Sequence, residues 1–301
     1  MTLMRLSGIP RFLFCIVLGI TLASTAAAVE PEPAQDFAIH LSPPLAAGQR
    51  YLASGTLQLD QEITPEQGPG TGEKHFLAHF EIAVRANEVT PRGNLRQAVL
   101  TIRKLEQQSG GSTIVLLPPG DEVTARRVGG KLVFEKSGHD LGEELSTVFH
   151  LVTEGRRDEK PTDDQAFGTQ ARRRVGESWP VNAAAVADLL SEAFVIDPKD
   201  VVGTTTLTGQ GQMQGKPSVE LRTQVEIRKG SRVAGLPTGG DLELVLTDTR
   251  VLPEDASFFA HREDASIDMS LHLSSKNEAG APREIRLHLL LNSHCELSPL
   301  P

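Results

Sequence analysis

The sequence predicts a mainly β protein of the α+β class. A large curved antiparallel sheet or half-barrel of about eleven strands should carry two helices on its concave face. Three observations carry this expectation. Apolar residues alternate at period two along most of the chain, which gives a strand one packed face and one wetter face. The central segment 140–195 switches to helical spacing. Strand patterns lie on both sides of that segment, so its apolar stripes must find cover on the sheet.

Taken in order, the chain opens with the three parts of a secretory signal. Arg5 and Arg11 supply positive charge, Phe12 to Ala23 an apolar core, and Ala26-Ala27-Ala28 a small-residue cleavage site. The core is shorter than the roughly 20 residues of a spanning helix. Residues 1–28 are therefore expected to be removed, leaving a periplasmic or extracellular protein with no transmembrane span. Cys15 follows Phe12-Leu13-Phe14 instead of the small residues of a lipoprotein signal. Losing it leaves Cys295 as the one cysteine, which excludes an internal disulfide. A small buried residue in a terminal strand is the simplest reading of Cys295.

Removing Arg5 and Arg11 takes the formal charge from −9 to −11. An acidic chain with 4% aromatics argues against nucleic-acid partners, anionic membranes and base-stacking platforms. Residues 29–44, rich in Pro, Ala and acid, read as a flexible leader. Residues 45–301 read as a single β-rich domain.

Arg50 to Leu59 is the first strand pattern. In the next, Phe76, Ala78, Phe80, Ile82 and Val84 alternate with His75, Leu77, His79, Glu81 and Arg85. Leu95 to Leu105 and Thr113 to Leu117 follow. Val123 to Val128 and Lys131 to Glu135 flank Gly129-Gly130, a link suited to a type I′ hairpin because both turn positions need positive φ. After the central segment come Val201 to Met213, Ser218 to Arg228, Asp241 to Val251, and two alternating runs carrying Ile267 to Leu273 and Ile285 to Leu291. Five or six strand patterns thus stand on each side, though the halves do not match residue by residue.

The first helix pattern uses Leu141, Leu145, Val148, Phe149 and Val152, with Asp140 as N-cap, Glu143 as its reciprocal partner and Gly155 as the stop. Arg156 to Asp164 reads as a charged, solvated connector. In the second helix Asn182 is the N-cap, Val181 staples onto Val186, and Val186, Leu189, Leu190, Ala193 and Phe194 form the stripe. Asp197-Pro198 ends it.

Chemical motifs are sparse. The chain has no G-x-S-x-G elbow, no phosphate-binding G-x-x-x-x-G-K-[ST] loop and no H-E-x-x-H. Gly209, Gly211 and Gly215 do not keep the dinucleotide spacing and read as a strand edge and turn. His75 and His79 share one strand face about 13 Å apart, too far to hold one ion. His272 and His288 fall opposite each other if their hairpin turns at Gly280, but no third ligand accompanies them, so they read as a polar cross-strand pair. Asp163 and Asp164 lack the shaped, partly desolvated surroundings of an acid–base pair. Arg172, Arg173 and Arg174 read as a strand face or turn. No catalytic residue, metal site or cofactor is expected.

The phrase Val175-Gly176-Glu177-Ser178-Trp179-Pro180-Val181 resembles a V-G-[DE]-[ST]-W step found in uncharacterised exported bacterial β-proteins, which implies an exported protein. In architecture alone, a curved sheet with helices on its concave face is similar to the LolA/LppX-like lipoprotein carriers. That fold binds acyl chains between sheet and helices; no functional residue is carried over. The resulting expectation is a non-enzymatic exported protein that binds an apolar small molecule or lipid. Its ligand-lining candidates are Trp179, Val186, Leu190, Phe194 and Phe149. A structural or interaction module with an envelope protein partner is the alternative, and an enzyme with an unrecognised site comes last.

Overall fold

Period-two patterning becomes strand almost throughout. The computed structural model describes residues 35–65, 72–153, 157–233, 240–276 and 282–301. The signal segment, Gly155 and Gly280 lie outside the described residues. The first half contains β1 (Arg50–Pro65), β2 (Gly72–Val89), β3 (Leu95–Ser109), β4 (Ser112–Val115), β5 (Glu122–Val128), β6 (Lys131–Lys136) and β7 (His139–Asp140). Helices α1 (Glu143–Val152) and α2 (Asp163–Ala166), strand β8 (Ser178–Pro180), helix α3 (Ala183–Leu189) and strand β9 (Phe194–Val195) follow. The second half contains β10 (Val201–Met213), β11 (Lys216–Val233), β12 (Gly240–Pro253), β13 (His261–Lys276) and β14 (Pro282–Pro299).

The strands form one open antiparallel sheet in the order β7-β6-β5-β3-β2-β1-β14-β13-β12-β11-β10-β8, with β4 paired to β3 and β9 to β11. The first and last long strands pair at its centre, from Tyr51 opposite Pro299 to Pro65 opposite Ile285. The chain therefore winds outward from β1 to one edge and returns inward from the other edge to β14. Edges β7 and β8 lie at opposite ends of the sheet, so the intervening segment must cross from one to the other. Crossing over a face buries its apolar stripes, which is why the helices sit there. Helix α1 packs against β1, β2, β6 and β14, and α3 against β10.

Register defines this inner face. One row runs Val225, Leu246, Ile267, Leu291, Leu59, Phe76 across six strands. Two apolar cores flank its middle. One gathers Val148, Phe149 and Val152 of α1 with Tyr51, Phe80, Ile82, Leu100 and Phe134. The other gathers Ala185 and Val186 of α3 with Val201, Val225, Ile227 and Leu244. Gly129 and Gly130 have φ of 57° and 84°, the paired positive values the β5–β6 turn requires. Cys295 is buried on β14, and among the described residues no helix is long and apolar enough to cross a membrane.

Four expectations are corrected. Residues 35–44 of the supposed flexible leader pack as an extended strap: Phe37, Ile39 and Leu41 are buried against Trp179, Leu207, Val219, Leu221 and Leu252. Alternate apolar residues give the strap a packing face despite its Pro-rich composition. Asp140 is paired to Glu135 in β7, so Gly142 is the N-cap of α1 and makes no side-chain cap bond. Asp163 and Asp164 belong to α2, whose N-cap Thr162 forms a capping box with Gln165, not to a solvated connector. Helix α3 ends at Leu189, and Phe194 reaches the same core through β9, paired to Val233.

Candidate functional site

The inner face carries two features that the packed cores do not absorb. The first is apolar. Next to the Ile267–Leu291 row lies the row Ile227, Leu244, Met269, Leu289, then Leu242, Leu271, Leu287, Ile63. Ile267, Met269, Leu287, Leu289 and Leu291 are only half-buried, and Ile63 is 38% exposed. Met269 and Ile267 lean on the α3 core, and Leu291 and Leu59 on the α1 core. Leu287 and Leu289 belong to neither. An apolar floor on β14, β13 and β12, reached on β1 by Leu59 and Ile63 with Gln61 between them opposite Leu289, is thus left partly open.

The second feature is charged. In the other direction along the strands the inner face passes small residues, Ala265 opposite Ser293, and reaches Asp248 and Arg250 on β12 and His261 and Glu263 on β13. Arg250 stands directly opposite Glu263. Its Nη1 donates to Asp163 Oδ2 of α2 at 2.6 Å and its Nη2 to Glu263 Oε1 at 3.2 Å. Its Nε lies 2.7 Å from Asp248 Oδ2, an ion pair without hydrogen-bond alignment. Asp248 is 5% exposed, and its Oδ1 has no hydrogen-bond partner.

One guanidinium therefore serves three carboxylates. Burial works against the Arg250 charge, yet Glu263, Asp248 and Asp163 hold its pKa well above the ordinary value. Burial pushes the Asp248 carboxyl up to about 7; Arg250 opposes this, and Glu263 and Asp163 reinforce it. A buried carboxyl short of positive charge keeps its proton. A cavity of about 190 Å³ adjoins this node, walled by Asp163, Arg250, Glu263, His261 and His150 under Leu41 and Leu151. His150, on α1, rests edge-on against Phe134 at 4.9 Å. Burial first, then Arg157 and Arg127, lower its pKa.

The residues expected to line a ligand are not brought together. Phe149 is fully buried in the α1 core beside Phe134, while Val186, Leu190 and Phe194 belong to the α3 core. Trp179 belongs to the strap core, its Nε1 donating to Phe167 O at 2.8 Å and Arg173 lying over its ring. The five thus fall in three separate cores, with Leu190 and Phe194 only partly buried. Arg174 and Arg172 hold the strap through the Asp36 carboxylate and carbonyl.

The histidines of the opposite face are also repositioned. His272 stands opposite Arg286 and His288 opposite Ser270, so the two do not pair. The hairpin is centred one residue earlier than a turn at Gly280 requires, which shifts the register by two. Each histidine instead meets an acid: His272 with Glu284, His288 with Asp268, His294 with Asp264, and His75 with Asp60. Among the described residues no group of three or more His, Cys, Asp or Glu is placed to hold a metal ion.

Sequence reading missed the charged node although its signal is present. On β12 the apolar parity Leu242, Leu244, Leu246 continues as Asp248 and Arg250 before returning to Leu252. On β13 the parity of Ile267 leads back through Ala265 to Glu263 and His261. Charge on the packed parity of a strand marks a buried polar site.

No protein-family model matches the chain, and no curated protein matches it. Among solved structures, the outer membrane protein AlkL, determined by solid-state NMR in DMPC lipid bilayers, aligns over 90% of this chain and 96% of its own at 8% identity, with a TM-score of 0.19. A likeness that loose carries no argument.

Proposed function

We propose that the protein is an exported, non-enzymatic binding protein of the cell envelope that takes an apolar or lipid-like ligand against the open floor of its inner face. The observation that carries this is the contiguous set Ile63, Ile267, Met269, Leu287, Leu289 and Leu291, aligned by register and left partly exposed between two packed cores. Partly exposed apolar surface of this extent costs stability in water, at roughly 25 cal/mol per Å², and contiguous apolar patches mark binding surfaces. The floor lies beside the residues of the sequence expectation, on the sheet itself.

Two measurements test the reading together. Lipid extraction and mass spectrometry of protein purified from its native envelope should recover a bound amphiphile. Titration with the fluorescent fatty acid cis-parinaric acid should show binding that Leu289→Glu and Met269→Glu weaken at least tenfold, since each puts a charge on the floor. Ligand-free protein that also ignores the probe refutes the reading.

A second reading, an interaction module, is favoured by one observation. β8 covers β10 only at Thr204–Thr206, and beyond Leu207, which bonds to Gly176 and Glu177, Thr208–Met213 pairs with β11 alone among the described strands. Such an edge can accept a partner strand. Proline at Gln210 would abolish capture of a specific envelope protein under this reading and leave probe binding intact.

A further inference from the structure

Helix α2 holds two parts of the molecule through neighbouring carboxylates. Asp163 reaches the sheet through Arg250 Nη1. Asp164 accepts from Leu41 N at 2.7 Å and Ser42 N at 3.2 Å, both on the strap. The strap in turn covers Trp179, Leu207, Leu221 and Leu252 with Phe37, Ile39 and Leu41. One ionic hold of α2 on the sheet runs through Arg250, a guanidinium that Asp248 and Glu263 also claim.

We infer that this node is a proton-controlled latch: α2 and the strap stay closed on the sheet while Asp248 carries a proton, and are released when Asp248 ionises. This inference stands apart from whatever the apolar floor binds. The groups facing Asp248 are Arg250 on its own strand, Glu263 on β13 and Asp163 on α2. Thr223, its uncharged partner on β11, and Ala265 on β13 complete the row. His261 and His150 stand on the cavity wall beyond. With Asp248 neutral, two carboxylates share Arg250. With Asp248 ionised there are three, and Asp248 itself is only 5% exposed.

Burial, with Glu263 and Asp163, sets the proton affinity of the closed form, where the Asp248 carboxyl titrates at about 7. Lifting α2 hydrates Asp248 and removes the Asp163 charge, and both changes return its pKa towards the ordinary value. The closed form thus binds the proton more tightly than the open form. By linkage, raising the pH favours opening. The open-to-closed ratio climbs by up to about tenfold per pH unit and levels off above about 7.

The single tryptophan reports directly. Trp179 is 4% exposed beneath the strap, and Leu41 and Ser42 amides measure the strap itself. Emission of Trp179 and hydrogen exchange at those amides, corrected for the intrinsic pH effect, should be followed in the chain from residue 29 between pH 5 and 9. Far-UV circular dichroism checks that the sheet stays folded. The expected result is a red shift and faster exchange as pH rises, complete by about pH 7.5. Asp248→Asn should be flat, and His261→Gln and His150→Gln should respond like the wild type. If Asp248→Asn does not fold, Asp163→Asn serves, with open-form emission already at pH 5 and no further pH response. A pH-independent wild type overturns the latch. So does a response that survives in Asp248→Asn or Asp163→Asn, or one that disappears in a histidine variant.

Discussion

Replacing Asp248 by Asn should make the protein more stable at neutral and alkaline pH, and the gain should vanish in acid. The carboxyl is 5% exposed and one of its oxygens is unpartnered. In the folded chain it titrates at about 7 against an ordinary 3.8. Between those values the folded state holds a proton that the unfolded state has released. Stability therefore falls as pH rises through this window and levels off above pH 7, with the penalty smaller where the latch opens and hydrates Asp248. At 1.36 kcal/mol per pH unit the interval is worth at most about 4 kcal/mol, and less where Arg250 relaxes towards Asp248. Asn cannot ionise, so its difference from wild type should shift by a few kcal/mol in its favour between pH 4 and pH 8. Urea unfolding of both proteins at the two pH values measures this, because other titrating groups cancel in the comparison. A stability difference that is the same at pH 4 and pH 8 would refute the account of the node.

Three further changes probe the frame around the site. Tyr51 is fully buried and its hydroxyl donates to Val152 O at the end of α1 at 3.0 Å, so Tyr51→Phe should cost about 1–2 kcal/mol by leaving a buried carbonyl unpaired, read from the urea midpoint. A Cβ at Gly55 would stand 1.9 Å from His294 O, in the central β1–β14 pairing. Gly55→Ala should therefore lower the midpoint strongly, whereas alanine at Gly72, with open space around it, should leave it unchanged. The Asn182 side chain accepts from Ala185 N, and Asn182→Ala should cost about 1 kcal/mol through loss of the cap, with the α1 end of the molecule unaffected in hydrogen exchange.

The strands and the two longer helices were legible because their apolar periods follow directly from the face each element buries. β10 runs from Val201 to Met213 and the cap at Asn182 is in place, both as the pattern indicates. Less was legible where neighbours outside the pattern decide. The strap's apolar residues alternate within a polar, proline-rich stretch, and only the apolar faces that Trp179 and Leu221 present to it make that alternation useful. The partners of His272 and His288 follow from the β13–β14 register, which is centred one residue from the expected one. The node escaped because the inner parity of β12 was followed only as far as its leucines. Asp248 and Arg250 lie on that same parity, so the information was local, but its meaning depends on Asp163 and Glu263 arriving from other elements.

The position of the open floor follows from how the chain is routed. The helical segment must travel between two edges, and each helix is tethered near the edge it serves: α1 immediately after β7, α3 immediately after β8. A seven-residue α3 and a ten-residue α1 span about 10 and 15 Å at 1.5 Å per residue. Neighbouring strands lie about 4.8 Å apart, so twelve in line are far too wide for these helices to cover. Helix α1 reaches β1 and β14; what it does not cover of the middle must be covered otherwise or left open. At one end α2 and the strap close over β10, β11 and β12, and there the sheet has given up apolar residues for Asp248, Glu263 and Arg250, the last of which holds α2 through Asp163. At the other end Leu287 and Leu289 are half-buried and belong to neither helix core, and there the sheet keeps its apolar parity. A strand ladder that needed only to be soluble would carry polar residues at those positions. That it carries Leu287, Leu289 and Met269 instead, on β14 and β13, is the reason for assigning the floor a partner.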